Sequence, residues 1–293
     1  GYHDEADIVK VHMTYHSFNQ IENANECDLV CLADRLVKED KYVGLDERIT
    51  YILKKAPEDE EIRHHILDGK KRTREFMDKI EKVIGKKIDF LFHLDSQLEE
   101  VLRQVEKPGR YIGGEVNSIK KSPEEVKVRM AFAFPDLYEI GMSYLGMQIL
   151  YNTVNKKKEL YCERVFAPAS DMEKLMREEK LPLFTLETKT PVKEMDIVGF
   201  TLQYEMSFST ILNMLELAEI PLISDERGDE WPIIAAGGPC AFNPEPLADF
   251  VDIFLIGDGE ILLPQVLELL GECKEKGRTK KDFLEKACQL EGI

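Results

Sequence analysis

The chain has 293 residues, with 56 acidic against 39 basic residues and a net charge of -17. Its 43% apolar and 32% charged content suits packed cores in a soluble chain long enough for two domains. No apolar run approaches a membrane span and no signal pattern opens the chain, while the acid excess argues against nucleic-acid binding by phosphate neutralisation. The basic clusters Lys70-Lys71-Arg72 and Lys156–Lys158 read as solvated helix faces. Six scattered cysteines show no disulfide framework, which points to a reduced, cytoplasmic compartment. The chain opens on Gly1 and stops at Ile293 without a polar tail, and is expected to be a fragment.

Residues 1–85 carry helical periodicity. Ile8, Val9, Val11 and Met13 form one apolar set, with His12 one turn after Ile8. From Ile21 to Lys38, steps of three and four through Ala24, Cys27, Val30 and Val37 place Asp34 on the inward face. A buried carboxylate needs a cation, so Asp34 is either ion-paired, for instance with Arg48, or a metal ligand. Cys27 and Cys31 read as small core residues, because no third cysteine follows closely. A further helix spans Glu58–Ile84, opened by Pro57 and a run of acidic residues; Gly69 in its middle predicts a kink or a close packing point.

The segments GYHDEADIVKVHM and CLADRLVKEDKYVGLDERI resemble the C-terminal half of an HD-domain phosphohydrolase. The resemblance implies a divalent-metal site with Asp34 as its last ligand and His12 as a further one. The family's earlier ligands are not among these residues, and His3-Asp4 sits in a turn before the helix. As it stands, this all-α region, residues 1–92, is expected to be inactive.

Residues 93–125 read as a linker and lead-in, broken by Pro108-Gly109 and Gly113-Gly114, with Tyr111–Glu115 as a short strand. From residue 126 to 293 strands and helices alternate. Strands are predicted at Val126–Phe134, Cys162–Ala167, Leu183–Leu186, Ile197–Leu202, Ile233–Ala236 and Val251–Ile256. Helices are predicted at Tyr138–Asn155, Asp171–Glu179 (capped by Ser170 or Asp171), Glu205–Leu217, from Glu260 onward, and at Lys280–Leu290. This alternation predicts an α/β, Rossmann-like, doubly wound and mainly parallel sheet.

The unusual residues collect at the strand ends: Pro135, Asp136, Glu139 and Gly141; Tyr204 and Glu205; Gly237, Gly238 and Pro239; Gly257, Asp258, Gly259 and Glu260. Glycine lets backbone approach a ligand and helix N-termini attract anionic groups, although any βα fold needs such turns. Neither GxGxxG nor GxxxxGKS is present, so no dinucleotide or nucleoside-triphosphate site is signalled.

In order along the chain, KPGRYIGGE, FPDLYEIGMSYLGMQILYN, ERVFAP, DIVGFTLQYEMSFSTILNML and AAGGPCAFNPEPLADFVDIFLIGDGE resemble the N-terminal, cobalamin-binding-like domain of a group of radical S-adenosylmethionine proteins. The resemblance covers residues 98–293. It implies a small-molecule cofactor, cobalamin, at the carboxyl edge of the sheet, with the strand-end residues above lining or supporting it. It also implies a partner, the protein's own downstream radical S-adenosylmethionine domain, which would carry the [4Fe–4S] cluster and S-adenosylmethionine. The cobalt-ligating DxHxxG and the cluster-binding CxxxCxxC are both absent. The expected function is therefore to position a cofactor or cap an active site. The alternatives are a noncatalytic partner- or RNA-binding module with a degenerate cofactor site, and an HD-type metal phosphohydrolase.

Overall fold

A computed structural model describes residue 28 and residues 31–32, 35–38, 41–55, 60–84 and 97–293. His12, Asp34 and Cys27 lie outside the described residues. The chain forms two compact units, Gly1–Glu100 and Val101–Ile293. Among the described residues, no helix is long and apolar enough to cross a membrane.

In the first unit a two-residue hairpin, β1 (Val37–Lys38) and β2 (Lys41–Tyr42), leads into helices α1 (Gly44–Lys55) and α2 (Glu60–Ile84). Leu45 and Ile49 of α1 pack against Phe76 and Met77 of α2, with Leu32 and Leu36 closing the cluster. Asp46 at the start of α1 pairs with Lys70 at 2.5 Å, and this lysine holds its carboxyl below the usual range. Helix α2 runs through Gly69 without a break from Glu60 to Ile84, and a Cβ placed at Gly69 meets nothing within 4 Å. Gly69 is not a packing point. Its carbonyl accepts from the Thr73 hydroxyl at 2.8 Å, and that hydroxyl accepts from Arg35 at 3.0 Å.

The second unit is built on five parallel strands, β3 (Val128–Phe134), β4 (Leu160–Phe166), β5 (Ile197–Thr201), β6 (Ile233–Gly237) and β7 (Ile253–Leu255), in the order β4-β3-β5-β6-β7. Their apolar runs are buried on both faces, as expected of a parallel sheet covered by crossover helices. One face collects Val128, Met130, Phe132 and Phe134 against α5 (Leu145–Asn155) and α8 (Gly259–Glu275), through Met147, Tyr151, Val266 and Leu270. The alternate residues Ala131, Ala133, Val198 and Phe200 are buried on the other face. Right-handed crossovers assign α6 (Ser170–Glu179) and α7 (Phe208–Leu217) to that side. Arg177 of α6 donates to Asn213 and Glu216 of α7. The last helix, α9 (Lys280–Ala287), starts with a reciprocal cap between Thr279 and Asp282.

Several expected elements differ. The helix expected over 138–155 is split into α4 (Tyr138–Ser143) and α5, because Tyr144 leaves helical geometry and its ring packs 5.6 Å from that of Phe134. Leu183–Leu186 is not a sheet strand. It runs beside β4 with Leu186 N–H donating to Arg164 O at 2.7 Å, and turns back on itself through Thr185 N–H to Thr190 O at 2.9 Å. Tyr111 belongs to a short helical turn, α3 (Gly109–Ile112), and the chain then bends through Gly113 and Gly114 at φ 74° and 83°, conformations that exclude a strand. Helix α6 is preceded by Ala169 without a side-chain cap.

The lead-in is a strap on the sheet. Arg110 pairs with Glu139, Lys189 Nζ donates to the carbonyls of Ile112 and Leu186, and Ile119 N–H donates to the Tyr151 hydroxyl. Asp171 accepts from Glu106 N–H at 2.8 Å, and this bond holds its carboxyl below the usual range. A lowered carboxyl pKa stabilises the fold above the ordinary aspartate pKa and ceases to do so as pH falls through the lowered value. Urea midpoints measured between neutral and strongly acidic pH should therefore fall less steeply in Asp171→Ala than in the parent. Equal slopes would remove Asp171 from the strap.

Covered by Leu181–Met195, all seven residues of edge strand β4 are buried. Two of them are charged. Glu163 accepts from Arg129 at 2.5 Å and from the hydroxyls of Thr185 and Thr188. Arg164 donates through Nε to Glu187 at 2.7 Å and through Nη2 to Glu115 at 2.9 Å, and its guanidinium lies 4.6 Å from the centre of the Tyr151 ring.

Candidate functional site: a crevice at the carboxyl edge

The strand order reverses direction between β3 and β5, so the connections on either side leave the sheet oppositely and open a gap at its carboxyl edge. Register then shapes the floor. Phe132 pairs with Gly199, Gly199 with Ala235 and Ala235 with Ile253; two residues on, Thr201 pairs with Gly237 and Gly237 with Leu255. The middle of the floor is thus glycine and alanine across two adjacent strands. The helices above do not fill the space these residues leave. A cavity of about 170 Å³ remains, walled by Phe132, Tyr144, Leu150, Leu255 and Leu263.

The loops follow from backbone demands. Gly238 sits at φ 110°, where a Cβ would lie 2.9 Å from the Leu202 carbonyl. That close approach laces the β5 and β6 loops together, with Leu202 N–H donating to Gly237 O at 2.6 Å and Cys240 N–H to Leu202 O at 3.1 Å. Gly257 at φ 141° turns the chain from β7 into α8 and leaves open space where a side chain would stand. Across the switch point, the Tyr204 hydroxyl donates to Asp136 Oδ2 at 2.8 Å, bridging the β5 and β3 loops. The neighbouring carboxylate raises the Tyr204 pKa, since it holds the phenolic proton. Burial raises the Cys240 thiol, and the Glu205 carboxylate beside it adds to the effect.

Of the residues singled out in the sequence, Gly237, Gly238, Pro239, Gly257, Gly259 and Glu260 line the crevice. Asp136 and Tyr204 form the bridge, Glu205 stands beside Cys240, and Asp258 is exposed ahead of α8. The rest lie away from the lining. Pro135 is buried at the end of β3, Glu139 points to Arg110 and Lys107, and Gly141 packs where a Cβ would be 2.4 Å from the Phe166 ring. Sequence reading missed the floor, Gly199 and Ala235, and the walls. Only the register across strands reveals them.

The lining carries one carboxylate, Glu260, and no lysine or arginine. It suits a neutral ring-sized group better than a phosphate. Among the described residues, no group of three or more His, Cys, Asp or Glu side chains could hold a metal ion. Residues 101–293 contain no histidine.

Comparison with curated proteins and comparison with solved structures each give no match. A family model described as radical SAM proteins, N-terminal, matches residues 146–293, which run from the wall helix α5 through every strand-end loop from β4 onward. That match covers just over half of the chain and includes the glycine turns of the crevice, so the chain belongs to the radical SAM proteins through their N-terminal domain.

Proposed function

We propose that the α/β unit is the cofactor-holding domain of a radical S-adenosylmethionine protein, and that its crevice takes the ring at the end of a cobalamin tail. The observation that carries the reading is the small-residue floor, Gly199, Ala235 and Gly237, beneath an apolar cavity at a topological switch point. Gly237 and Gly238 bring backbone close to the ring, and Leu150 and Leu263 cover it. Glu260 and the Tyr204–Asp136 bridge border the mouth.

The donor set fits such a group in part. A neutral apolar slot fits the tail ring; the lack of histidine means that no imidazole of this unit ligates the cobalt. When bound, cobalamin supplies the cobalt-centred chemistry, which the protein itself cannot perform. The chain's own residues would hold the tail, fix its orientation and keep water from the buried ring. With no CxxxCxxC among these residues, the proposal assigns S-adenosylmethionine cleavage to a separate radical domain that this unit caps.

The test is anaerobic reconstitution of the chain with cobalamin, followed by desalting. Corrinoid absorbance that stays with the protein in stoichiometric amount is the expected result. Its complete loss on desalting would rule the reading out.

A further inference from the structure

The two ends of the sheet differ in how their charges are paired. The loops at its carboxyl edge, residues 135–146, 202–207, 238–243 and 256–261, carry Asp136, Glu139, Glu205, Asp258 and Glu260 and no lysine or arginine. Glu139 alone among these carboxylates is neutralised by an ion pair, with Arg110 and Lys107. At the opposite end lysines and carboxylates are interleaved and paired, Lys127 with Glu159 and Glu275, Lys157 with Glu268 and Lys274 with Asp196. The same carboxyl-edge loops expose large apolar side chains. Leu145 is 71% exposed, Met206 84%, Phe242 76% and Ile261 60%. Each follows a different strand, so parallel topology brings all four to the carboxyl edge, the edge on which the crevice opens. Scattered single exposures are ordinary, but four at one rim, within an acidic field, are the signature of an interaction surface.

We propose that this rim docks a folded protein surface with an apolar centre ringed by lysine or arginine. The flexible Met206 and the broad Phe242 ring supply contact area, and Glu205, Asp258 and Glu260 select the cationic partner and repel an acidic one. A second copy of this chain brings the same acids to the contact, so self-association through the rim is opposed by like charge. The inference rests on the capping reading, because a cap must touch what it covers. It does not rest on the crevice being filled.

The test uses the whole chain and two labelled synthetic helical peptides. One has leucine on one face and lysine on the other; its counterpart has glutamate in place of lysine. By fluorescence anisotropy, the lysine peptide should bind in a salt-dependent manner and the glutamate peptide should not. The pair Met206→Ser with Phe242→Ser, and separately the set Glu205→Gln, Asp258→Asn and Glu260→Gln, should each weaken binding about tenfold. Glu268→Gln with Glu272→Gln, which removes acids elsewhere on the surface, should not. The rim positions are exposed, so unchanged thermal unfolding verifies that each variant is folded. Equal weakening by the control pair, or none by the rim sets, overturns the proposal. A concentration-dependent dimer abolished by the rim variants, without peptide binding, also overturns it and assigns the rim to a second copy. If corrinoid retention fails while peptide binding follows this pattern, the cofactor reading fails and the docking surface stands.

Discussion

Arg164→Met should lower the unfolding free energy by about 3–5 kcal/mol, a large part of the roughly 5–15 kcal/mol available to a domain. Methionine nearly matches the length of the arginine stem but carries no charge. Glu187, whose side chain is 0% exposed, would then keep only the N–H of residue 164, which donates to its Oε2 at 2.7 Å. Burial already pushes the Glu187 carboxyl above its usual range, against the pull of Arg164. Without the guanidinium only the N–H of residue 164 still opposes that burial, and the carboxyl should take up a proton on folding. A carboxyl raised in the folded state is stabilising at low pH and loses its contribution as pH rises. The defect in Arg164→Met should therefore be smaller at pH 5 than at pH 7. Glu115 is less affected, because the Tyr138 hydroxyl still donates to it at 3.0 Å. Adding Glu187→Met should restore most of the loss, since a buried pair replaced by apolar groups costs little. Urea unfolding of the two variants measures both effects. A loss below about 1 kcal/mol, or no recovery in the double variant, would mean that the pair is solvated in solution.

The second large effect is on ligand retention. Ala235→Leu places three further carbons over the floor of the 170 Å³ cavity, where the alanine Cβ already faces the covering helices. The space is available, so stability should move by no more than about 1 kcal/mol, filling gain and packing strain partly cancelling. A ring can no longer enter beside Gly199 and Gly237. Retained corrinoid should fall at least about 30-fold, equivalent to about 2 kcal/mol of affinity. Wild-type retention in a folded Ala235→Leu protein would remove the crevice from the cofactor reading while leaving room for binding elsewhere.

Much of the second unit was legible because its physics is local. Runs such as Ile197–Thr201 and Ile233–Gly237 alternate with helical patterns, and glycine turns mark their ends. What failed was decided by distant partners. Leu183–Leu186 has the composition of a strand, but the Thr185–Thr190 turn folds it onto its own return limb instead of into the ladder. Tyr144 interrupts a helical pattern because its ring packs against Phe134. The adjacent charges Glu163 and Arg164 point to opposite faces of β4, and both are buried because both faces and the edge of that strand are covered. The site divided in the same way. Gly237, Gly238, Gly257 and Gly259 announced themselves by turn chemistry. Gly199 and Ala235 look like ordinary strand residues until register sets them side by side. Glu139 and Gly141 sit in an equally suggestive stretch but serve the strap and the helix–sheet contact.

The cover over β4 also bears on how the protein behaves in a crowd. A parallel sheet ends in a row of unpaired peptide groups, a template on which a neighbouring chain can polymerise. At one margin Leu186 occupies the Arg164 carbonyl; at the other β7 is only three residues long, and Ile256 N–H is bonded to Gly292 O. Neither margin offers a long ladder to a newcomer. A deletion within Leu181–Met195 would uncover the seven residues of β4 together with two buried charges, and the expected product is fibrillar or amorphous aggregate formed from an otherwise native sheet.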